Sequence, residues 1–177
     1  MKDSQYLQAP AGALWTFACR LYDQPGVMTC CLDAQDQAGL SVNWLLACAW
    51  LSSRGQRLDY NVILGATAWQ EWHREVTSPL RSARKHLGVQ NRQHSLYAVL
   101  KNVELDAERE ELAMLERCCA PLTAAEQDVD AATLMQDNLL VYLHSTGLQG
   151  EAIEHWQQQL IPLRQGSLRL RDELAGP

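Results

Sequence analysis

With 177 residues and a formal net charge of −6, the chain is sized for one hydrophobic core and is too short to hold two full domains comfortably. Leu occurs 28 times, Ala 21 and Gln 16, against 19 Val, Ile and Thr together, which favours helices and excludes a β-sandwich or a parallel sheet. The acidic balance argues against charge-driven nucleic-acid binding, which draws its affinity from clustered Lys and Arg. The longest nearly uncharged stretch, 38–53, is shorter than the ~20 residues needed to span a bilayer, and the opening residues lack an apolar core of signal-peptide length. The expectation is a cytoplasmic, all-α protein: one domain, 1–177, of seven to nine helices packed as hairpins.

Taken in order, residues 11–22 carry Leu14, Trp15, Ala18, Leu21 and Tyr22 at three- and four-residue spacing, the pattern of a core-facing helix. Pro25 suits a first helical residue, so a second helix is expected over 25–38, stopped by Gly39. Ser41 is placed to cap a third helix, 42–51, that is apolar nearly all round and must therefore be buried on every side. It is expected at the centre of the core. After the Arg54-Gly55-Gln56 break, Asp59 is a cap for a fourth helix over 60–75 with Leu64, Ala68 and Trp72 on its stripe, beside Ile63.

Pro79 restarts the chain, because proline disfavours helical geometry just before itself, and a helix runs from there to about residue 87. Residues 88–93 are a weak point, after which Leu96, Leu100 and Val103 resume the period. The stretch 104–116 holds six acids against Arg109 and keeps Leu105, Leu112 and Leu115 as an apolar stripe, so it reads as a helix with a wet acidic face. Thr123 and Glu126 have the spacing of a capping box opening a helix that ends at Gly147. Helical segments over 150–160 and 163–174 follow, separated by Pro162. The order Asn43, Gly55, Trp72 and Pro79 is echoed by Asn138, Gly147, Trp156 and Pro162, which allows a duplicated unit but does not require one.

The six cysteines, Cys19, Cys30, Cys31, Cys48, Cys118 and Cys119, form no CxxC or zinc-type spacing and sit among Leu, Ala and Trp, so they read as reduced, mostly buried thiols. The five histidines show no HExxH or i,i+4 pair, and nucleophile-elbow, Walker and dinucleotide motifs are absent. No catalytic residue and no cofactor is assigned. Trp44 and Trp50 are expected in the core, each indole N–H needing an acceptor such as Asn43 or Gln35, while Trp69 and Trp72, a turn apart, either pack inward or form a stacking face for a partner. Asp33 and Asp36 share a helix face and could hold magnesium on a phosphorylated ligand, or be merely solvated. Arg81, Arg84 and Lys85 lie on one side of a helix, with Arg92 beyond; they either bind phosphate, RNA or an acidic protein, or neutralise the 104–116 acids in an antiparallel hairpin.

The segment LWTFACRLYDQPGVMTCCLDAQDQAGLSVNWLLACAWL, from Leu14 to Leu51, with Trp72 and Pro79-Leu80-Arg81 after it, resembles a family of small uncharacterised proteins from gammaproteobacteria such as pseudomonads. The likeness covers about 14–84, leaving a C-terminal helical part, about 94–174, without a signature. It implies a helical, cytoplasmic, bacterial protein and carries no activity. Within the shared pattern, Trp15, Leu32, Leu45 and Leu46 read as core, whereas Gln35, Asp36 and Asn43 are polar residues that the turn does not demand. They are expected to converge at the Gly39 turn, as a buried network or a small polar site. The reading is a protein-binding or adaptor module whose partner is another protein; the alternatives are a helical enzyme or carrier for a phosphorylated or isoprenoid-like ligand with magnesium, and an RNA- or ribosome-associated factor.

Overall fold

A computed structural model describes residues 12–122, 124 and 129–175. Its elements are α1 (Ala13–Tyr22), α2 (Val27–Ala38), α3 (Val42–Ser53), α4 (Tyr60–Gly65), α5 (Thr67–Trp72), a π-helical turn (His73–Thr77), α6 (Ser78–Gln90), α7 (Ser95–Cys119), α8 (Ala131–Ser145), α9 (Glu151–Gln159) and α10 (Ile161–Ala175). The fold is all-α; among the described residues, extended pairing is limited to an isolated bridge between Gln56 and Ala124. Because α5, the π turn and α6 run on without a loop, the path comprises nine rods among the described residues.

The third rod is the axle that its composition demands. Every residue of α3 from Asn43 to Ser52 is buried, and α1, α2, α7, α8 and α10 all pack on it. Ser41 starts it by accepting a hydrogen bond from the Trp44 N–H, and the Ser41 N–H donates to the Tyr142 hydroxyl at 2.6 Å, tying the cap to α8. Tyr142 also stacks on Trp44, with ring centres 6.0 Å apart. Lower down, the Asn138 amide donates to Ser52 Oγ and to the Gln56 carbonyl, both at 3.0 Å, and accepts from the Leu58 N–H at 2.7 Å. One fully buried side chain thereby satisfies the backbone where α3 breaks into its loop. Gly166 lets α10 approach the α1–α2 corner, since a Cβ there would come within 2.7 Å of Val27 Cγ2.

Several boundaries differ from expectation. Helix α2 starts at Val27 rather than Pro25, because Gly26 adopts the left-handed region (φ 79°) and breaks the run between Pro25 and the helix. The expected single helix over 60–75 is interrupted at Ala66. Its buried stripe is Ile63, Ala66 and Trp69, one residue round from the expected Leu64 and Ala68, which face solvent. Pro79 does not break the chain: in a regular helix its ring would meet the Glu75 carbonyl, and the wider turn over His73–Thr77 opens the ladder at that point. Helix α8 opens at Asp130, whose carboxylate accepts from the Ala132 and Thr133 N–H groups; the expected Thr123–Glu126 capping box lies outside the described residues. Leu32 is exposed rather than core, and the buried indole N–H of Trp44 has no partner among the described residues, contrary to the expected acceptor; the same holds for Trp69, for which none was expected.

The packing sets two expectations. Leu45→Ala, in the fully enclosed α3, should lower the unfolding free energy by about 2–5 kcal/mol in urea titrations, whereas Leu105→Ala, on an exposed face of α7, should stay within about 0.5 kcal/mol. All six cysteines are free thiols; Cys19 is exposed, while burial pushes the Cys119 thiol up to about 12 and raises Cys48 well above the usual range, and a hydrogen bond with Cys30 together with burial raises Cys31 likewise. Alkylation at pH 8 followed by mass spectrometry should therefore label Cys19 first, and Cys31, Cys48 and Cys119 only after unfolding.

Candidate functional site

The acids of α7 do not all lie on a wet face: Asp106 is exposed, but two of the glutamates are interior. Glu104 and Glu111 are 4% and 1% exposed, and a carboxylate held that far from water must be met by charge or by donors. Glu104 is met from α6: Arg81 Nε lies 3.2 Å from its Oε1, Arg84 Nη2 lies 3.0 Å from the same oxygen, and Arg84 Nε donates to Oε2. The other end of the Arg81 guanidinium reaches Glu108 at 2.6 Å. Burial raises the Glu108 carboxyl above its ordinary value despite that contact, and Glu104 holds the Arg84 guanidinium above its own.

One turn further along α7, Glu111 takes the Asn43 amide at 2.7 Å and His73 Nδ1 at 2.9 Å. Its donors come from α3 and from the π turn, so this single carboxylate joins the axle, the irregular turn and α7. The π turn aims His73 inward, with its ring stacked 5.0 Å from Trp69, which in turn meets Trp44 edge-on at 5.8 Å. Trp72 fastens the same turn by donating its indole N–H to the Ala107 carbonyl at 3.2 Å. Glu116 closes the series, its carboxylate accepting the Ala13 and Leu14 N–H groups at 3.3 and 3.1 Å, so that it caps α1 from across the fold.

This geometry reassigns the residues singled out from sequence. Asn43 is buried in the Glu111 network, but Asp36 lies at the surface, 2.5 Å from Lys85, and Gln35 is half-buried, its backbone carbonyl accepting the Gly39 N–H; the three do not converge. Trp69 is buried and Trp72 half-buried, each committed to internal contacts, so they present no stacking face. Arg81 and Arg84 are engaged by Glu104 and Glu108 in an antiparallel α6–α7 pairing. They do not form an open basic strip with Arg92. Asp33 is exposed, and among the described residues no group of three or more His, Cys, Asp or Glu lies close enough to hold a metal ion.

Sequence reasoning missed the surface that results. With polar ties drawing α6 and α7 together, residues 73–111 contribute nothing to the main hydrophobic cluster. Leu96, Val99 and Val103 instead stand 47%, 53% and 42% exposed, neighbours on one face of α7 away from Glu104 and Glu111, and Val89 near the tip of α6 is 89% exposed. The available signal was the charge pattern: 76–103 contains no acid at all, so its apolar period is flanked by cations only.

The fold and these contacts define an all-α protein with a helical arm held by buried ion pairs; among the described residues, no helix is long and apolar enough to cross a membrane. Residues 13–115 match the family described as protein of unknown function (DUF2390), and the chain belongs to that family. The match ends inside α7, just past Glu104 and Glu111, so it includes the whole arm and both buried carboxylates. No curated protein and no solved structure matches the chain.

Removing one partner of a buried ion pair strands the other. Glu104→Ala should cost about 3 kcal/mol, and hydrogen exchange should show the loss of protection concentrated in 78–103 while α3 and α8 keep theirs. Equal loss across α3 and α8 would show instead that arm and core open as one unit.

Proposed function

We propose that the protein is a binding module, adaptor-like, that docks another polypeptide on the α6–α7 arm. The observation that carries this reading is that the arm holds its ion pairs inside, between α6 and α7, while Leu96, Val99 and Val103 lie on its outer face. Leu96, Val99 and Val103 leave about half of their surface in water where they stand, and contiguous exposed apolar side chains mark association surfaces. The arm is also presented rather than loose. Glu104 and Glu111 fix its root to α6, α3 and the π turn, so little ordering is needed when a partner arrives.

The same contacts weigh against the other two readings. A phosphate-binding pair at Arg81 and Arg84 would have to displace Glu104 and Glu108, and a magnesium site at Asp33 and Asp36 would compete with Lys85 for Asp36. Among the described residues, RNA would meet only Arg92 and Lys101 as exposed arm cations outside an ion pair. The free thiols suit a reducing, cytoplasmic setting in a bacterium.

Photo-crosslinking tests the proposal. A photoreactive amino acid in place of Val99 or Val103 should give covalent adducts to a polypeptide in cells that make the protein natively, and the same group at exposed Gln158 should not. Adducts at none of the positions, or equally at all three, would overturn it.

A further inference from the structure

On the outer face of α7 the spacing continues past the apolar residues. Leu96, Val99, Val103, Asp106 and Glu110 follow one another at intervals of three and four, the a/d seam of a coiled coil, and Arg92 lies one step earlier, in the turn before the helix. The seam is polarised: a cation at the tip, apolar residues in the middle, acids at the root. Arg92 and Asp106 are both exposed, and neither makes an ion pair among the described residues.

A seam of this kind complements itself when reversed. Lay the α7 of a second copy antiparallel, with the two-fold axis between Val99 and Val103. Each Val99 then meets the other copy's Val103, forming two apolar layers. In that register each Leu96 lies opposite the second copy's Asp106, closing the end of the valine layers, and each Arg92 lies opposite its Glu110 with Asp106 one layer away. A parallel arrangement would instead stack Asp106 on Asp106 and Arg92 on Arg92. The contact is isologous, so every favourable pair occurs twice.

From this polarity we infer that the occupant of the arm is the same face of a second copy of this chain, in an antiparallel α7–α7 pairing. The inference rests on the docking role proposed for the arm and names the partner.

Sedimentation equilibrium of the full chain tests it. The weight-average mass should rise with concentration from 19.9 kDa toward twice that value. Val99→Glu should hold it at the monomer, with an unchanged circular dichroism spectrum and, at concentrations low enough that the wild type is also monomeric, an unchanged urea midpoint because the site is exposed. Arg92→Glu and Glu110→Arg should each weaken the dimer by roughly fivefold, and the two combined should restore most of the loss. A wild-type chain that stays monomeric, a dimer that survives Val99→Glu, or a charge swap without recovery would overturn the pairing. If the chain is monomeric while a crosslinker at Val99 still captures a different polypeptide in cells, self-pairing falls and the docking role stands; if no adduct forms either, both fall.

Discussion

A helix that is apolar on every side has no stable place except inside other helices. Val42–Ser53 is such a helix, and the architecture follows from enclosing it. Five helices share the work, and their own amphipathic stripes are consumed in doing so: Leu14, Phe17, Ala18 and Leu21 from α1, Leu139, Tyr142 and Leu143 from α8, Leu163 and Leu170 from α10. The few polar side chains at this centre sit where the axle begins or ends. Ser41 and Tyr142 close its start, and Ser52 with Asn138 closes its finish. Such groups are tolerated in the interior because they satisfy backbone that would otherwise be stranded.

α7 reconciles that core with a projecting arm. Its C-terminal half brings Leu112, Leu115 and Cys119 to the main cluster, whereas its N-terminal half faces α6 across ion pairs. The change falls between Glu104 and Glu111, and both carboxylates are buried there with partners from three different elements. Hydrophobic burial is indifferent to direction; a carboxylate with a defined set of donors is not. The arm is therefore aimed, and the apolar residues on its back are held out in water. The π turn belongs to the same device, since it takes up the backbone disturbance of Pro79 while presenting His73 to Glu111.

How far this was legible in the sequence depends on whether a residue's role is set by its neighbours in the chain. Caps are local, so Ser41, Asp59 and the Gly39 stop could be read directly. The axle was equally plain, because its apolar character has no direction to misjudge. Stripes on amphipathic helices were harder: the α4–α5 break at Ala66 rotates the phase, so Leu64 and Ala68 turn outward while Ile63 and Trp69 turn in. Period alone also showed Leu96 and Val103 resuming a helical repeat without showing which way they face, and neither joins the main hydrophobic cluster.

The neutralisation of Arg81 and Arg84 by the acids of the next helix was one of two readings open in the charge pattern; choosing between them required knowing that α6 and α7 lie side by side. By itself the sequence determined helix content, the buried third helix and the caps, since composition and short-range hydrogen bonding act within a few residues. Only the tertiary structure decided that Glu104 and Glu111 are interior, that Asn43 answers Glu111 rather than Asp36, and that the apolar face of α7 looks outward. These depend on which elements meet, and donors that reach a carboxylate from 20 to 68 residues away leave no trace in local periodicity.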